Sequence, residues 1–303
     1  MRLGQLSGGD FAARLAGPGI GIQAGAFAFR IRSDALPVER GIRLLYEDYP
    51  LVEAGGFCDY AVEIRRRSGL RRHVRPQVQF LFDGDPVFDP LPLLHALPLA
   101  EWALNWCVST YAHQHLVLHA AVVERDGRAA ILPAPPGSGK STLCAALVHR
   151  GWRLLSDELA LLSLADRSLA ALARPVSLKN ESIELISRFA PQAVFSEPTV
   201  DTRKGTVALL KAPPAHVARA AEPARAAWIV FPRYESGAGP RLEPRPKADS
   251  MLELSRNAFN FGPTGREAFD ALADVIDGCD CFDFGYSRLE DAVAQFDRLA
   301  LRQ

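Results

Sequence analysis

Apolar and polar positions alternate with a period of two in three early segments, Phe27-Ala28-Phe29-Arg30-Ile31-Arg32, Tyr60-Ala61-Val62-Glu63-Ile64-Arg65 and Val78-Gln79-Phe80-Leu81-Phe82. That alternation predicts half-buried strands, and Asp83-Gly84 supplies a tight turn after the third. Residues 1–98 therefore read as a smaller β-rich N-terminal domain whose last part, 86–98, is a proline-rich connection. Over residues 99–112 the spacing of Trp102, Trp106 and 108–111 becomes helical and predicts a helix packed on the outside of the larger C-terminal domain.

The rest, 99–303, alternates strands and helices. Two apolar runs, 116–123 and 128–133, are joined by Asp126-Gly127, a strong hairpin signal. A short helix over 143–148 ends in His149, Arg150 and Gly151, the last suited to a left-handed C-terminal position. A strand over 152–156 comes next, then a hairpin of 159–164 with 169–178 turned at Asp166-Arg167-Ser168. A short helix starts at Asn180 or Ser182 and reaches Phe189, a loop fills 191–205, and 206–210 and 227–231 are strands. The last third reads as helical, with capping-box patterns at Thr264-Gly265-Arg266-Glu267 and Ser287-Arg288-Leu289-Glu290.

The candidate chemistry begins where a strand meets a helix, at Ala134-Pro135-Pro136-Gly137-Ser138-Gly139-Lys140-Ser141-Thr142. Loop amides and a helix N-terminus form an anion pocket there, Lys140 adds a charge for the terminal phosphates, and the Ser141 hydroxyl suits Mg²⁺. Ala134 stands where the usual pattern has its first glycine. The strand after the helix ends in Asp157-Glu158, and it is expected beside the 128–133 strand, with its acids on the phosphate edge of the sheet. One carboxylate then holds Mg²⁺ and the other accepts a proton from an attacking hydroxyl; the plainer reading is an acidic strand end. His119, in the strand before the hairpin turn, either orients a carboxylate base or is a core histidine. Lys179 and the loop Asp201-Thr202-Arg203-Lys204-Gly205 either supply cations to a transferring phosphoryl group or are ordinary solvated charges.

Taken in order, Leu118-His119-Ala120, Gly137-Ser138-Gly139-Lys140-Ser141, Arg150-Gly151 and Leu155-Ser156-Asp157-Glu158 resemble the catalytic domain of HPr kinase/phosphorylase. With Leu104-Asn105-Trp106-Cys107 and Arg174-Pro175-Val176-Ser177-Leu178-Lys179-Asn180, the chain looks like the HprK-related kinase A group. The resemblance implies an α/β P-loop kinase fold of the HPr kinase/PEP carboxykinase type, a mixed sheet with helices, using ATP and Mg²⁺ with a serine-type hydroxyl acceptor. Carried over by position, Gly137, Ser138, Gly139, Lys140, Ser141 and Thr142 hold the nucleotide, and Ser141 and Asp157 hold Mg²⁺. Glu158 takes the place of the catalytic Asp, and His119 that of the histidine contacting it. Similarity to the group at Ser177-Leu178-Lys179-Asn180 adds Lys179, Arg203 and Lys204 as phosphate-binding candidates. No match to the family's later Glu-x-x-Arg-Gly signature is present, so the reverse reaction is not implied. The family often forms rings, which leaves a homo-oligomer open.

Composition narrows the alternatives. The chain has 303 residues, 48% hydrophobic and 23% charged, with a formal net charge of zero, which gives no electrostatic case for nucleic acid or an anionic membrane. No apolar run has the length of a membrane span and no signal peptide is evident, so the expectation is cytoplasmic. Five scattered cysteines include one C-x-C, Cys279 and Cys281, a weak metal signal. Arg65, Arg66, Arg67, Arg71, Arg72 and Arg75 make either a basic surface turn or a dock for an acidic partner. Leu6-Ser7-Gly8-Gly9-Asp10 looks like an ABC-transporter signature but precedes the Gly-rich loop instead of following it, and reads as coincidence. The functional expectation is an ATP-dependent kinase acting on a hydroxyl of a peptide, protein or small molecule; the alternative is an NTPase switch or assembly factor that hydrolyses ATP to regulate a partner.

Overall fold

Ser7 caps the first helix, α1 (Gly8–Ala16), accepting a hydrogen bond from the Asp10 amide at 3.1 Å, which is the local reason for the Ser-Gly-Gly-Asp pattern. Then come β1 (Ile20–Ala24), β2 (Phe27–Ser33), α2 (Leu36–Leu45), β3 (Tyr60–Arg66), β4 (Gln77–Phe82), β5 (Asp85–Pro86), β6 (Leu91–Pro92) and α3 (Ala96–Tyr111). A long hairpin, β7 (His115–Arg125) and β8 (Arg128–Pro133), leads into α4 (Lys140–Val148), β9 (Arg153–Ser156), β10 (Leu159–Ser163), β11 (Ser168–Ala170), β12 (Val176–Lys179) and α5 (Glu181–Phe189). The chain finishes with β13 (Thr199–Thr202), β14 (Gly205–Leu210), α6 (Pro214–Ala218), β15 (Ala224–Tyr234), β16 (Arg241–Pro244), α7 (Lys247–Arg256), α8 (Phe261–Gly278), β17 (Asp280–Tyr286) and α9 (Leu289–Ala300). This computed structural model describes residues 1–301 other than His73 and Pro136, and not the side chains of Leu70 and Arg71. Pro136 of the Gly-rich loop and the Arg71 side chain of the basic run thus lie outside the described residues.

Among the described residues the strands form three sheets in a mixed α/β arrangement. The first runs β1-β2-β3-β4-β5, with β6 also on β4 and only β2–β3 parallel. Helix α3 lies against β3, β4 and α2, and its residues from Ala96 to Leu104 are buried except Trp102. The second sheet runs β11-β10-β7-β8-β15-β17-β16, and β11 also pairs with β15, so five of its strands close a ring. The third, β12-β14-β13, is antiparallel.

The β1–β2 turn ties the first sheet to the segment after β11. Gly25 has φ +59, and a Cβ there would lie 1.8 Å from the Ala171 carbonyl oxygen, while the Ala26 amide donates to that oxygen at 3.1 Å. Glycine is required twice over, by conformation and by space.

Several expectations need correction. Residues 1–98, read as β-rich, also carry two amphipathic helices that the reading did not include, α1 and α2, with Val38, Ile42 and Leu45 on the buried side of α2. The last third contains β17, which pairs in parallel with β15 and is central to the second sheet. Neither capping box forms: Thr264 Oγ1 donates to the Asn260 carbonyl at 2.6 Å and Ser287 Oγ to the Ala238 carbonyl at 2.7 Å. Strand β9 is not beside β8; it pairs with β7, because the hairpin puts β7 on one edge of β8 and β15 takes the other.

A buried ion pair locks β9 onto β7. Arg153 and Glu124 are 4% and 2% exposed and hydrogen-bonded to one another. Arg153 Nη1 donates to the carbonyls of Arg219 and Glu222, both at 2.9 Å, and Glu124 Oε1 accepts from the Gly127 amide of the hairpin turn at 2.5 Å. Removing one partner strands a charge where water cannot reach it. Glu124→Ala is therefore expected to cost about 3–5 kcal/mol, read as a lower urea midpoint at an unchanged slope.

Candidate active site

Strand β7 organises the site. It pairs antiparallel with β8 on one edge, and with β9 and β10 in succession on the other, so β8 and β9 run the same way and end at the same edge of the sheet. From β8 the chain enters the Gly-rich loop and α4; from β9 it enters Asp157-Glu158. The ladder pairs Ser156 with Val122 and Leu159 with His119, so the two acids occupy the gap between β9 and β10 without changing the register. The adjacency expected for β8 and β9 fails, yet the shared edge that mattered is produced through β7.

The loop turns on two glycines, Gly137 at φ +88 and Gly139 at φ +89, a backbone region costly for other residues. A Cβ at Gly139 would also lie 2.7 Å from the Tyr286 hydroxyl oxygen. Tyr286, from β17, donates to the Gly139 carbonyl at 3.2 Å, and the Tyr234 amide at the end of β15 donates to the Ser138 carbonyl at 3.1 Å. Carbonyls are thus held from behind. No side chain caps the N-terminus of α4, so its first amides keep their capacity for an anion.

Gly137, Ser138, Gly139, Lys140, Ser141, Thr142, His119, Glu158, Lys179 and Lys204 all line one cleft of about 1390 Å³. Asp157 sits just behind that wall, on an adjoining cavity of about 20 Å³ that it shares with Glu158, Asn105 and Arg174. Arg203 does not line the cleft: it is exposed at the β13–β14 turn, while Lys204 beside it faces inward over the Trp102 ring at 5.6 Å.

Lys140 and Asp157 are 8% and 5% exposed, yet among the described residues Lys140 Nζ and Asp157 Oδ1 have no hydrogen-bond partner, and neither does Ser138 Oγ. Asp157 Oδ2 accepts from the Ser177 amide at 3.1 Å. Burial, then the neighbouring Glu158 charge, push the Asp157 carboxyl up to about 6, against lowering by Lys140, Ser177 and the nearby Ser141 hydroxyl. Burial also lowers Lys140, with Asp157 and Glu158 opposing. Burial thus opposes the charged form of both groups.

His119 is one of only two half-buried residues in β7, the other being Arg125 at its end. Burial, then Lys140, lowers its imidazole to about 4, so it is neutral at physiological pH. The expected contact from His119 to Glu158 is absent; Glu158 acts on it only through its charge. Glu158 Oε2 is instead held by Asn105 Nδ2 at 2.8 Å, a residue to which the sequence alone assigns no role. Its signal was the helical spacing that puts Asn105 on one face of α3 with Trp102, Trp106 and Ser109, all four of which line the cleft. The aromatic residues Phe259, Tyr234 and Tyr286 on the cleft wall were also missed. Cys279 and Cys281 are buried in the second sheet, away from the cleft, and burial pushes the Cys279 thiol up to about 12. Among the described residues no helix is long and apolar enough to cross a membrane.

Comparison with known proteins finds no matching family model and no matching curated protein. Among solved structures, the chain is similar to the Hpr(Ser) kinase/phosphatase from Coxiella burnetii, at 13% identity and a TM-score of 0.29, over 62% of this chain and 99% of that one. A likeness that slight carries no argument, so the functional reading rests on the site itself.

Asp157 yields a test of the site's electrostatics. Its carboxyl titrates near 6 in the folded chain against 3.8 for the ordinary group, so burial costs nothing below pH 3.8 and the full amount above about pH 6. Asp157→Asn is expected to stabilise the nucleotide-free protein by roughly 2 kcal/mol at about pH 8, and progressively less towards about pH 4. Thermal melts of both proteins across that range check it; a gap independent of pH would show that desolvation of this carboxylate is not the cause.

Proposed function

We propose that the chain is an ATP-dependent kinase that transfers the γ-phosphate of ATP to a serine-type hydroxyl on a peptide, protein or small molecule. The observation that carries this reading is the pair of buried, unpartnered atoms Lys140 Nζ and Asp157 Oδ1 beside the uncapped start of α4. A cation lacks its anion, and an anion lacks its cation. A nucleotide phosphate with Mg²⁺ supplies both, and the residues fit: amides of Gly137–Thr142 and Lys140 for phosphates, Ser141 and Asp157 for the metal. When bound, Mg²⁺ neutralises charge on the transferring phosphates.

The remaining chemistry belongs to the chain. Glu158 reaches the cleft wall and accepts the proton of the acceptor hydroxyl as that oxygen attacks phosphorus and ADP leaves. His119, neutral, can hydrogen-bond the acceptor beside it, and Lys179 and Lys204 balance charge on the phosphoryl group as it moves. In this reading residues 99–303 form a P-loop kinase domain of the HPr kinase/PEP carboxykinase type. Residues 1–98 carry docking surface for the acceptor, in the cytoplasm where ATP is made.

Bacterial extract incubated with the protein and γ-labelled ATP, analysed by mass spectrometry, tests the assignment. A phospho-product on a hydroxyl is expected with wild type. Glu158→Gln should slow its formation by about 10²–10⁴-fold while ATP affinity, measured calorimetrically, stays within about twofold. Lys140→Ala should lose both. Release of inorganic phosphate at the same rate with or without extract would instead identify an ATP-hydrolysing switch.

A further inference from the structure

A second group of buried polar side chains stands immediately behind Glu158, and none of its members belongs to the loop or the acid pair. Tyr46, just after α2, donates its hydroxyl to Glu101 Oε1 at 2.7 Å. Arg174 Nη2 donates to Glu101 Oε2 at 2.6 Å and to the Glu101 carbonyl at 3.1 Å. Arg174 Nη1 donates to Asn105 Oδ1 at 3.0 Å, and Asn105 Nδ2 donates to Glu158 Oε2 at 2.8 Å. Tyr46, Glu101 and Arg174 are buried, with Arg174 and Glu101 side chains 6% and 5% exposed. Next to this chain, the Tyr49 hydroxyl donates to the Ala173 carbonyl at 2.6 Å, which holds the backbone that carries Arg174.

We infer that Glu101, Arg174 and Asn105 are positioning residues that hold Glu158 in the orientation its role as proton acceptor requires, an inference that rests on that role. Donor and acceptor chemistry fixes every link. A guanidinium only donates and a carboxylate only accepts. An asparagine between them has one arrangement, oxygen towards Arg174 and NH₂ towards Glu158; the flipped amide sets donor against donor and acceptor against acceptor. Glu101 in turn pins Arg174 through two bonds to one guanidinium nitrogen, while Tyr46 occupies its other carboxylate oxygen. Glu158 has three side-chain torsions, and a long carboxylate on the cleft wall loses positional accuracy unless something holds it. Asn105 holds Oε2, and no hydrogen bond to Oε1 is present among the described residues, which leaves that oxygen for the acceptor. A base oriented by a neutral amide keeps its charge, which a lysine or arginine in the same place would neutralise.

Two measurements on the full chain test this. The first follows the Asn105 side-chain NH₂ signals by nitrogen–proton NMR of the nucleotide-free protein. Glu158→Gln and Arg174→Lys should each move them; signals that stay in place in both variants overturn the inference. This readout needs no activity, so it stands apart from the kinase assignment. The second measures labelled phosphate transfer in bacterial extract, with Mg·ATP affinity determined in parallel. Asn105→Ala, which breaks no ion pair but leaves Arg174 Nη1 without its acceptor, should lower the thermal melt modestly and slow transfer by roughly tenfold or more with affinity changed less than about twofold. Arg174→Lys, which keeps a donor towards Asn105, should retain more transfer than Arg174→Gln. Transfer by Asn105→Ala at the wild-type rate overturns the inference. Absence of transfer by the wild type would remove the kinase assignment and with it the role of Glu158, whatever the NMR signals show.

Discussion

The pairing of β7 along both of its edges is the constraint on which the rest depends. Antiparallel partners on either side of one strand must run parallel to each other, so β8 and β9 deliver their carboxyl ends to one edge. The Gly-rich loop and the acid pair therefore meet without being adjacent in the sheet. The ladder between β7 and the β9–β10 edge shifts register once at Leu155, and from Ser156 to Leu159 it keeps one register across Asp157 and Glu158. Of the two, Glu158 reaches the cleft wall, while Asp157 stays behind it on the adjoining small cavity.

That arrangement concentrates unfavourable electrostatics in one place and balances charge elsewhere. Arg153 with Glu124, and Arg174 with Glu101, are buried ion pairs, although Arg174 Nε has no hydrogen-bond partner among the described residues. Lys140 and Asp157 are equally buried and are not paired. A well-packed scaffold around the site, including Trp152, Trp228 and Phe296 in the same core as α4, is what allows such groups to stay desolvated.

Much of this was legible in the chain. The β7–β8 hairpin declared itself through Asp126-Gly127, and both residues adopt the positive φ such a turn needs. The loop glycines, Lys140, the acid pair and His119 were visible because their chemistry depends on local spacing. What stayed hidden depends on long-range packing. Helix α2 has a short buried stripe, Val38, Ile42 and Leu45, that starts directly after Pro37, too short a pattern to stand out, and β17 shows Phe282, Phe284 and Tyr286 in alternation within a stretch dominated by helices. The Thr264 and Ser287 patterns had the right residues, but both hydroxyls found carbonyls to donate to instead. Asn105 could not be assigned from sequence, since its partners Glu158 and Arg174 are 53 and 69 residues away.

Gly25 carries a consequence of another kind. Its backbone approaches Ala171 so closely that no side chain fits between them, and Ala171 is three residues from Arg174. The tip of the first sheet and the stretch 171–174 therefore form one surface with no slack in it. In the history of such a sequence, a change on one side survives only if the other side has already made room. Residues 25–26 and 171–174 are expected to be inherited as a unit, however freely the exposed parts of the two sheets drift apart.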